Sequence, residues 1–347
     1  MTGTAVVIGA GVGGLATAIG LRRAGWTVSV LERRAELERY GTAFGIHPTA
    51  QSALERLGVG EALHSRAVPY RGARIRTPAG KPMASLPLER IERKAGRPEL
   101  LISRPYLLDA LVAELEAFGD VPLKFGENVG DVEALVASHD LVVGADGIRS
   151  AVRTARFGAR SVARSIDTVA WIGIADFESG IYGETWGSGR FFGMTPVEPG
   201  RTNWYATVPA ATTADELRAY FAGWHDPIPR ILTETDPATW IRYDMRHLFP
   251  ALPTFVDDGR VALVGDAAHA MTPNLGQGAC TAILDADALT RSVAEHGPAD
   301  LPTALRAYDA QRRRSAQRVA FGSRNLHRFM STKHTALRNA LVHLLPG

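Results

Sequence analysis

Six residues near the start, Gly9-Ala10-Gly11-Val12-Gly13-Gly14, carry the Gly-x-Gly-x-x-Gly spacing directly after a β-branched run, Thr4 to Ile8. A loop of this kind acts through its backbone. Gly9 permits a tight turn, Gly11 leaves room for a pyrophosphate against the main chain, and Gly14 lets the following helix approach the strand. Val12 and Gly13 open that helix, whose unpaired N–H groups offer donors to phosphate oxygens. Glu32, with Arg33 beside it, closes the next strand-like run, where a carboxylate accepts from both hydroxyls of an adenosine ribose. The chemistry expected is dinucleotide binding, and these residues alone do not separate FAD from NAD.

A second constellation lies at the far end of the chain. The apolar run Val261 to Val264 leads into Gly265-Asp266-Ala267-Ala268-His269 and then Pro273-Asn274-Leu275-Gly276-Gln277-Gly278. An aspartate at the carboxyl end of a buried strand, preceded by a glycine that permits close approach, suits a ribityl hydroxyl. The turn containing Pro273, Gly276, Gln277 and Gly278 aims a helix N-terminus at the pyrimidine edge of a flavin, where the positive end of the dipole favours the anionic reduced ring. A dehydrogenase that uses NAD alone has no need of this feature. Between the two constellations stands Gly144-Ala145-Asp146-Gly147-Ile148-Arg149-Ser150-Ala151-Val152-Arg153.

With these three motifs in this order and spacing, the sequence resembles the class A flavoprotein monooxygenases, the para-hydroxybenzoate hydroxylase family. The resemblance implies that the Asp146-Gly147 turn sits near both the flavin pyrophosphate and the nicotinamide coenzyme. It implies that Arg104, in Ser103-Arg104-Pro105-Tyr106-Leu107, contacts the flavin, and that the backbone at Val129 meets adenine. FAD is expected to be non-covalent, since neither Cys280 nor the histidines carry a linkage motif. NADH or NADPH is expected to dock transiently, because no second nucleotide-binding domain is evident. The activity implied is hydroxylation of a small aromatic or polycyclic molecule with O2, through a flavin C4a-hydroperoxide. Two other readings stay open: a reductase or dehydrogenase on the same fold, and a flavin-binding redox sensor without turnover.

Substrate residues carry weaker signals. His47, in Gly45-Ile46-His47-Pro48, lies in a stretch resembling the family's flavin-facing loop and suits deprotonation of a phenol, or else is an ordinary core or surface histidine. Arg190, in Gly187-Ser188-Gly189-Arg190, either anchors a carboxylate or is an exposed hairpin arginine. Trp186, Phe192, Trp204 and Tyr205 either wall an aromatic substrate or pack a core, and Tyr205 is grouped with His47 and Arg190 as a catalytic candidate. Trp171-Ile172-Gly173 lacks the arginine that often follows that tryptophan in the family. His269 reads as structural within the flavin motif, and no metal site is expected.

These groups need elements to hold them. The N-terminus reads as a βαβ unit: Thr4 to Ile8, a helical spacing over Leu15 to Ala24, and Thr27 to Leu31. Helices are expected over Pro48 to Leu57 and Pro105 to Phe118, a hairpin excursion over Arg71 to Leu88, and a buried strand over Asp140 to Ala145. From Val169 to about Pro209 short strands suggest a second, largely antiparallel sheet. A strand at Arg260 to Val264, a helix near Gly278 to Ala294 and further helices complete the chain. The fold class expected is α/β: a Rossmann-like FAD-binding domain with an inserted, mostly antiparallel substrate sheet and C-terminal helices. The flavin domain is assigned 1–70, 98–165 and 252–325, the substrate domain 71–97 and 166–251, and a C-terminal helix 326–347.

Composition sets outer bounds. The chain has 347 residues, 46% hydrophobic and 22% charged, the balance of a globular protein. One cysteine, Cys280, precludes an intramolecular disulfide, a multi-cysteine zinc site and a dithiol redox pair, and suits a reducing cytoplasm. The uncharged stretch Ala5 to Leu21 is rich in glycine and reads as buried rather than as a membrane span. From Arg306 onward nine basic residues face the single acid Asp309. That excess is either a solvated helical face or an attraction for an anionic coenzyme or substrate. No aromatic residues interleave with the arginines in a recognised module, so nucleic acid is not an expected partner. A monomer or homodimer is expected.

Overall fold

The structure, a computed structural model, describes residues 2–37 and 43–343. The β-branched run forms the strand Thr4–Ile8, and the glycine loop delivers it into the helix Val12–Arg23, which returns to the strand Thr27–Glu32. These lie in a sheet ordered Val256–Asp257, Val261–Leu263, Leu141–Gly144, Thr4–Ile8, Thr27–Glu32, Leu123–Phe125, parallel except at the first pair. Its central strands are apolar on both faces and their residues are fully buried, as a parallel sheet covered by helices requires. Helices Val12–Arg23 and Gly278–His296 pack closely against each other.

The excursions meet in a second sheet. Its strands run Ile241–His247, Arg164–Ala175, Arg201–Pro209, Phe191–Glu198, Gly183–Trp186, Arg74–Arg76 and Pro82–Ser85. All neighbours are antiparallel except Gly183–Trp186 with Arg74–Arg76. A small third sheet joins Ala43–Ile46, Leu100–Ser103 and Val68–Pro69. The expected architecture is therefore the observed one: an α/β body carrying an inserted, mostly antiparallel sheet.

Strand alternation sorts the large sheet into two environments. On one face Phe192, Trp204 and Val208 pack with Phe221, Ile231 and Trp240, from the helices Ala214–Phe221 and Ile228–Glu234 and the strand entry after them. On the other, Trp186, Phe191 and the partly buried Tyr205 pack with Met330 and Val342. The helix Leu301–Met330 is unbroken, so the junction expected at residue 326 lies inside it, and Thr335–His343 forms a separate final helix. The segment from Asp131 to His139 forms the helix Val132–Ser138, with the Asp131 carboxylate accepting from the Ala134 N–H.

Candidate functional site

The glycine loop is held by contacts that only these residues permit. Gly9 has φ of 106°, a region that side chains disfavour, and its N–H donates to the Leu31 carbonyl. A Cβ on Gly14 would stand 1.9 Å from the Gly9 carbonyl oxygen, so helix and turn touch backbone to backbone. Gly11, by contrast, has nothing within 4 Å of the position its Cβ would take. It is the N-cap of Val12–Arg23 and no side chain caps that helix, so the first N–H groups, at Val12 and Gly13, face an open cradle. Glu32 is buried and ties the turn together: its carboxylate oxygens accept from the N–H groups of Ala10 and Arg34, both at 2.9 Å. Each oxygen keeps a second lone pair for a ribose hydroxyl. Arg33 is exposed beside it, and Val129 packs half-buried on the edge of the same core.

The Asp-Gly turn meets this loop directly, since the Ala145 N–H donates to the Ile8 carbonyl at 2.8 Å. One oxygen of Asp146 accepts from the N–H groups of Ala151 and Val152, at 2.6 and 3.2 Å, at the start of the helix Ala151–Phe157. Its other oxygen, Oδ1, is buried and has no partner among the described residues. A buried carboxylate oxygen facing nothing is a cost unless a ligand hydroxyl or N–H meets it.

Arg153 was not singled out in the sequence, yet it joins two of the motifs. It is 1% exposed, and its guanidinium donates to the carbonyls of Ile148, Ser161, Asp266 and Ala267. The Asp-Gly turn and the Gly-Asp motif, more than a hundred residues apart, are stapled by one side chain. Its only hint in the sequence is an arginine closing an otherwise small and apolar helix start.

Gly265 adopts φ of 59° and its N–H donates to Asp285. Burial pushes the Asp266 carboxyl up from its ordinary range, against the opposing pull of His269, Arg153 and Arg104. Arg104 opens the helix Arg104–Glu116, with its guanidinium 6.0 Å from the centre of the Phe44 ring. The His269 Nε2–H donates to Asp285, whose other oxygen accepts from Arg312 at 2.8 Å, and against the upward push of burial these two partners hold the Asp285 carboxyl below its usual range. Pro273 opens a single 3₁₀ turn ending at Gly276, φ 63°, after which Gln277 and Gly278 begin the long helix. The Ser323 hydroxyl donates to the Thr272 carbonyl and pins that turn to the helix Leu301–Met330.

The three catalytic candidates do not share one place. The Arg190 guanidinium lies over Tyr220 at 4.9 Å, beside the helices on the far side of the large sheet from Tyr205. Phe192 and Trp204, offered as pocket walls, stack on each other at 5.5 Å in the core beneath those helices. Of the two readings left open for them, these two take core packing, because their strand positions point away from Trp186 and Tyr205. Tyr205 donates to Glu184 Oε1 at 3.1 Å, and Trp186 donates to Glu184 Oε2 at 2.7 Å. Burial raises both the Glu184 carboxyl and the Tyr205 hydroxyl, so Tyr205 stays a phenol donor and Glu184 is biased toward its protonated form.

His47 pairs instead with Glu99, Nδ1 to Oε2 at 3.2 Å. Burial lowers the imidazole and pushes the Glu99 carboxyl up to about 7, so the pair holds a movable proton near neutrality. The Cys280 thiol donates to the Gly45 carbonyl at 3.0 Å and accepts from the His47 N–H at 3.3 Å, which fixes this loop to the flavin-motif helix. Burial raises the thiol to about 12 and keeps it unreactive. Glu99 was missed in the sequence because its partner lies on another strand.

One consequence concerns stability. Between the ordinary carboxyl value of 4.5 and about 7, the unfolded chain releases the Glu99 proton before the folded one, so stability falls as pH rises through that window. In Glu99→Gln that slope is absent. The variant is expected to melt at the wild-type temperature near pH 5 and a few degrees above it at pH 8. A difference that does not change with pH would contradict the burial argument.

The sequence profile described as "FAD binding domain" matches residues 2–323. Aurachin C monooxygenase/isomerase of Stigmatella aurantiaca is 34% identical over 342 residues, covering 92% of this chain and 88% of that protein. An FAD-dependent urate hydroxylase of Klebsiella pneumoniae is 31% identical, covering 89% and 85%. The crystal structure of Klebsiella pneumoniae HpxO complexed with FAD and uric acid superposes with a TM-score of 0.84 at 28% identity, covering 98% and 91%. A salicylate hydroxylase substrate complex shares the fold, with a TM-score of 0.78 at 23% identity, covering 99% and 93%.

The chain belongs to the FAD-binding-domain family. Within it, this protein is a class A FAD-dependent monooxygenase, an oxidoreductase whose cofactor is FAD. The open cradle at Gly11 and the unmet Asp146 Oδ1 are features that such a cofactor fits.

Proposed function

We propose that the protein hydroxylates a small aromatic or polycyclic molecule with O2 and NADH or NADPH. The balance is substrate C–H plus O2, NAD(P)H and a proton, giving C–OH, NAD(P)+ and water. The observation that carries the substrate class is a polar group set on an aromatic strand face, Glu184 held by Trp186 and Tyr205. The names of the relatives, which include urate hydroxylases and a 3-amino-4-hydroxybenzoate 2-monooxygenase, support the same class.

FAD, when bound, supplies the redox and oxygen chemistry, and the chain supplies binding, orientation and proton handling. Val12, Gly13 and the Gly11 cradle hold the pyrophosphate, with Arg33 and Val129 at the adenosine end. Glu32 holds the adenosine ribose while bracing the turn. Asp266 and Arg104 hold the ribityl chain, and Asp146 meets the cofactor with its free oxygen. The Pro273-to-Gly278 turn orients the ring. Tyr205 and Glu184 present a donor and a carboxyl to the substrate, and the His47–Glu99 pair accepts or returns a proton at Nδ1 or Oε2 near neutral pH. We assign 1–70, 98–165 and 252–325 to cofactor binding and 71–97 with 166–251 to substrate binding. Among the described residues no helix is long and apolar enough to cross a membrane. We place the protein in the cytoplasm, as a monomer or homodimer, on the grounds of its single buried cysteine and its mixed-charge surface.

The test is anaerobic stopped-flow flavin bleaching, followed by mass spectrometry of products from a panel of phenolic and heteroaromatic compounds. Reduction by NAD(P)H is expected to be slow alone and faster with the right compound, which then gains one oxygen. Fast reduction without any compound, and no oxygenated product, would favour a reductase.

A further inference from the structure

The short helix Asp266–His269 has a second side. Ala268, His269 and Ala270 border a cavity of about 90 Å³ whose other walls include His247, Phe249, Gln317, Phe321 and Arg324. That is room for about three waters, enough for one compact oxyanion and too little for a larger molecule.

The lining is largely apolar, with one arginine, Arg324, and two imidazoles, His247 and His269, whose hydrogen bonding is incomplete. His269 is 3% exposed; its Nε2 is bonded to Asp285, and its Nδ1 is buried with no partner among the described residues. The Nδ1 atoms of His247 and His327 are likewise buried and unmet. The Arg324 guanidinium lies 3.8 Å from the centre of the Phe249 ring. Arg328 follows one helical turn later, and Arg164 is the cross-strand neighbour of His247. Burial lowers His247, His327 and Arg324, and the neighbours that add to this are basic: Arg324, Arg328 and Arg164 for His247, Arg328 and Arg164 for Arg324, and His247 and Arg328 for His327. Asp285, the carboxylate in contact with the lining, is already shared among Gly265, His269 and Arg312. At the mouth, Phe249 and Phe321 are 42% and 63% exposed, with Arg324 covering one face of the Phe249 ring.

An uncompensated group of three arginines around unmet imidazoles favours an anion, and exposed rings favour a flat group attached to it. We propose that this cavity is a phosphate site for a nucleotide: the phosphoryl group enters between Arg324, His247 and His269, and the base rests on Phe249 and Phe321. The nucleotide is the pyridine coenzyme, an assignment that rests on the monooxygenase reading above. The phosphoryl chemistry alone would equally suit free phosphate.

Holoenzyme is titrated calorimetrically with inorganic phosphate, 2′,5′-ADP, NADP+ and NAD+. The expected result is binding of 2′,5′-ADP at least tenfold tighter than phosphate, with NADP+ close to it, weakening between 50 and 200 mM salt. Arg324→Gln and Arg328→Gln each weaken these affinities about tenfold, whereas Arg324→Lys retains most of the binding. Flavin content and melting temperature stay at wild-type values in all three, which separates a lost site from a lost fold. Unchanged nucleotide affinity in both glutamine variants, or no binding by wild type, overturns the proposal. Equal affinity for phosphate and 2′,5′-ADP overturns the nucleotide assignment. Failure here is distinct from failure of the functional reading: a wild-type enzyme that makes hydroxylated product yet binds 2′,5′-ADP no tighter than phosphate overturns this site alone, whereas a wild-type enzyme that binds nucleotide but makes no product refutes the monooxygenase substrate class instead.

Discussion

Gly14→Ala is expected to leave the protein almost without FAD. The new Cβ would lie 1.9 Å from the Gly9 carbonyl oxygen and 3.1 Å from the Ala145 side chain, and the nearer atom is backbone, so no rotamer relieves it. The turn must open, carrying away the Gly9–Leu31 hydrogen bond and the cradle behind Gly11. Overpacking of this kind destabilises by ~1–3 kcal/mol, and displacement of the phosphate donors should weaken FAD by roughly a hundredfold, ~2.8 kcal/mol. Gly11→Ala is the informative partner. Nothing in the chain lies within 4 Å of that Cβ and its φ is −76°, so the apoprotein should fold and melt as wild type yet bind FAD poorly. The measurement is flavin-to-protein absorbance after reconstitution, beside circular dichroism melting of both apoproteins. Equal melting temperatures for the two variants would refute the packing account.

Asp266→Ala should weaken FAD retention ten- to a hundredfold. Loss of a hydrogen bond to a charged acceptor is worth ~1.5–3 kcal/mol, the same range expressed as affinity. Burial raises this carboxyl, so the folded chain gains little from it in the absence of cofactor. Apoprotein stability is therefore expected to be unchanged or slightly raised in the variant, while holoprotein stability falls. Fluorescence titration of apoprotein with FAD checks the first expectation and differential scanning fluorimetry the second. Undiminished FAD affinity would mean that the Gly-Asp motif does not hold the ribityl chain.

The cofactor half of the site was legible because its information is local. A turn that needs φ of 106° at Gly9, a helix touching it at Gly14 and an acid ending the next strand are all requirements on neighbouring residues, and each can be met by only a few residue types. The same holds for Gly265-Asp266 and for the Pro273 turn. What joins the motifs was not legible. Arg153 reaches Asp266 and Ala267, and Ser323 reaches Thr272, across separations that no spacing rule covers.

The substrate half depended on tertiary structure for a reason visible in two adjacent residues. Trp204 and Tyr205 are both aromatic and share a strand, so alternation alone sends them to opposite faces without saying which face meets the cofactor domain. That was decided when the helices Ala214–Phe221 and Ile228–Glu234 covered the Trp204 face and the helix Leu301–Met330 met the other. The same packing set Glu184 under Tyr205 and carried Arg190 away to Tyr220, while the antiparallel pairing of Ala43–Ile46 with Leu100–Ser103 brought Glu99 to His47. The sequence by itself determined the α/β body, the glycine turn and the positions of the acids we assign to the cofactor, since these follow from backbone sterics and short-range periodicity. Only the tertiary structure decided which polar groups lose water together, because desolvation and charge pairing depend on long-range strand order.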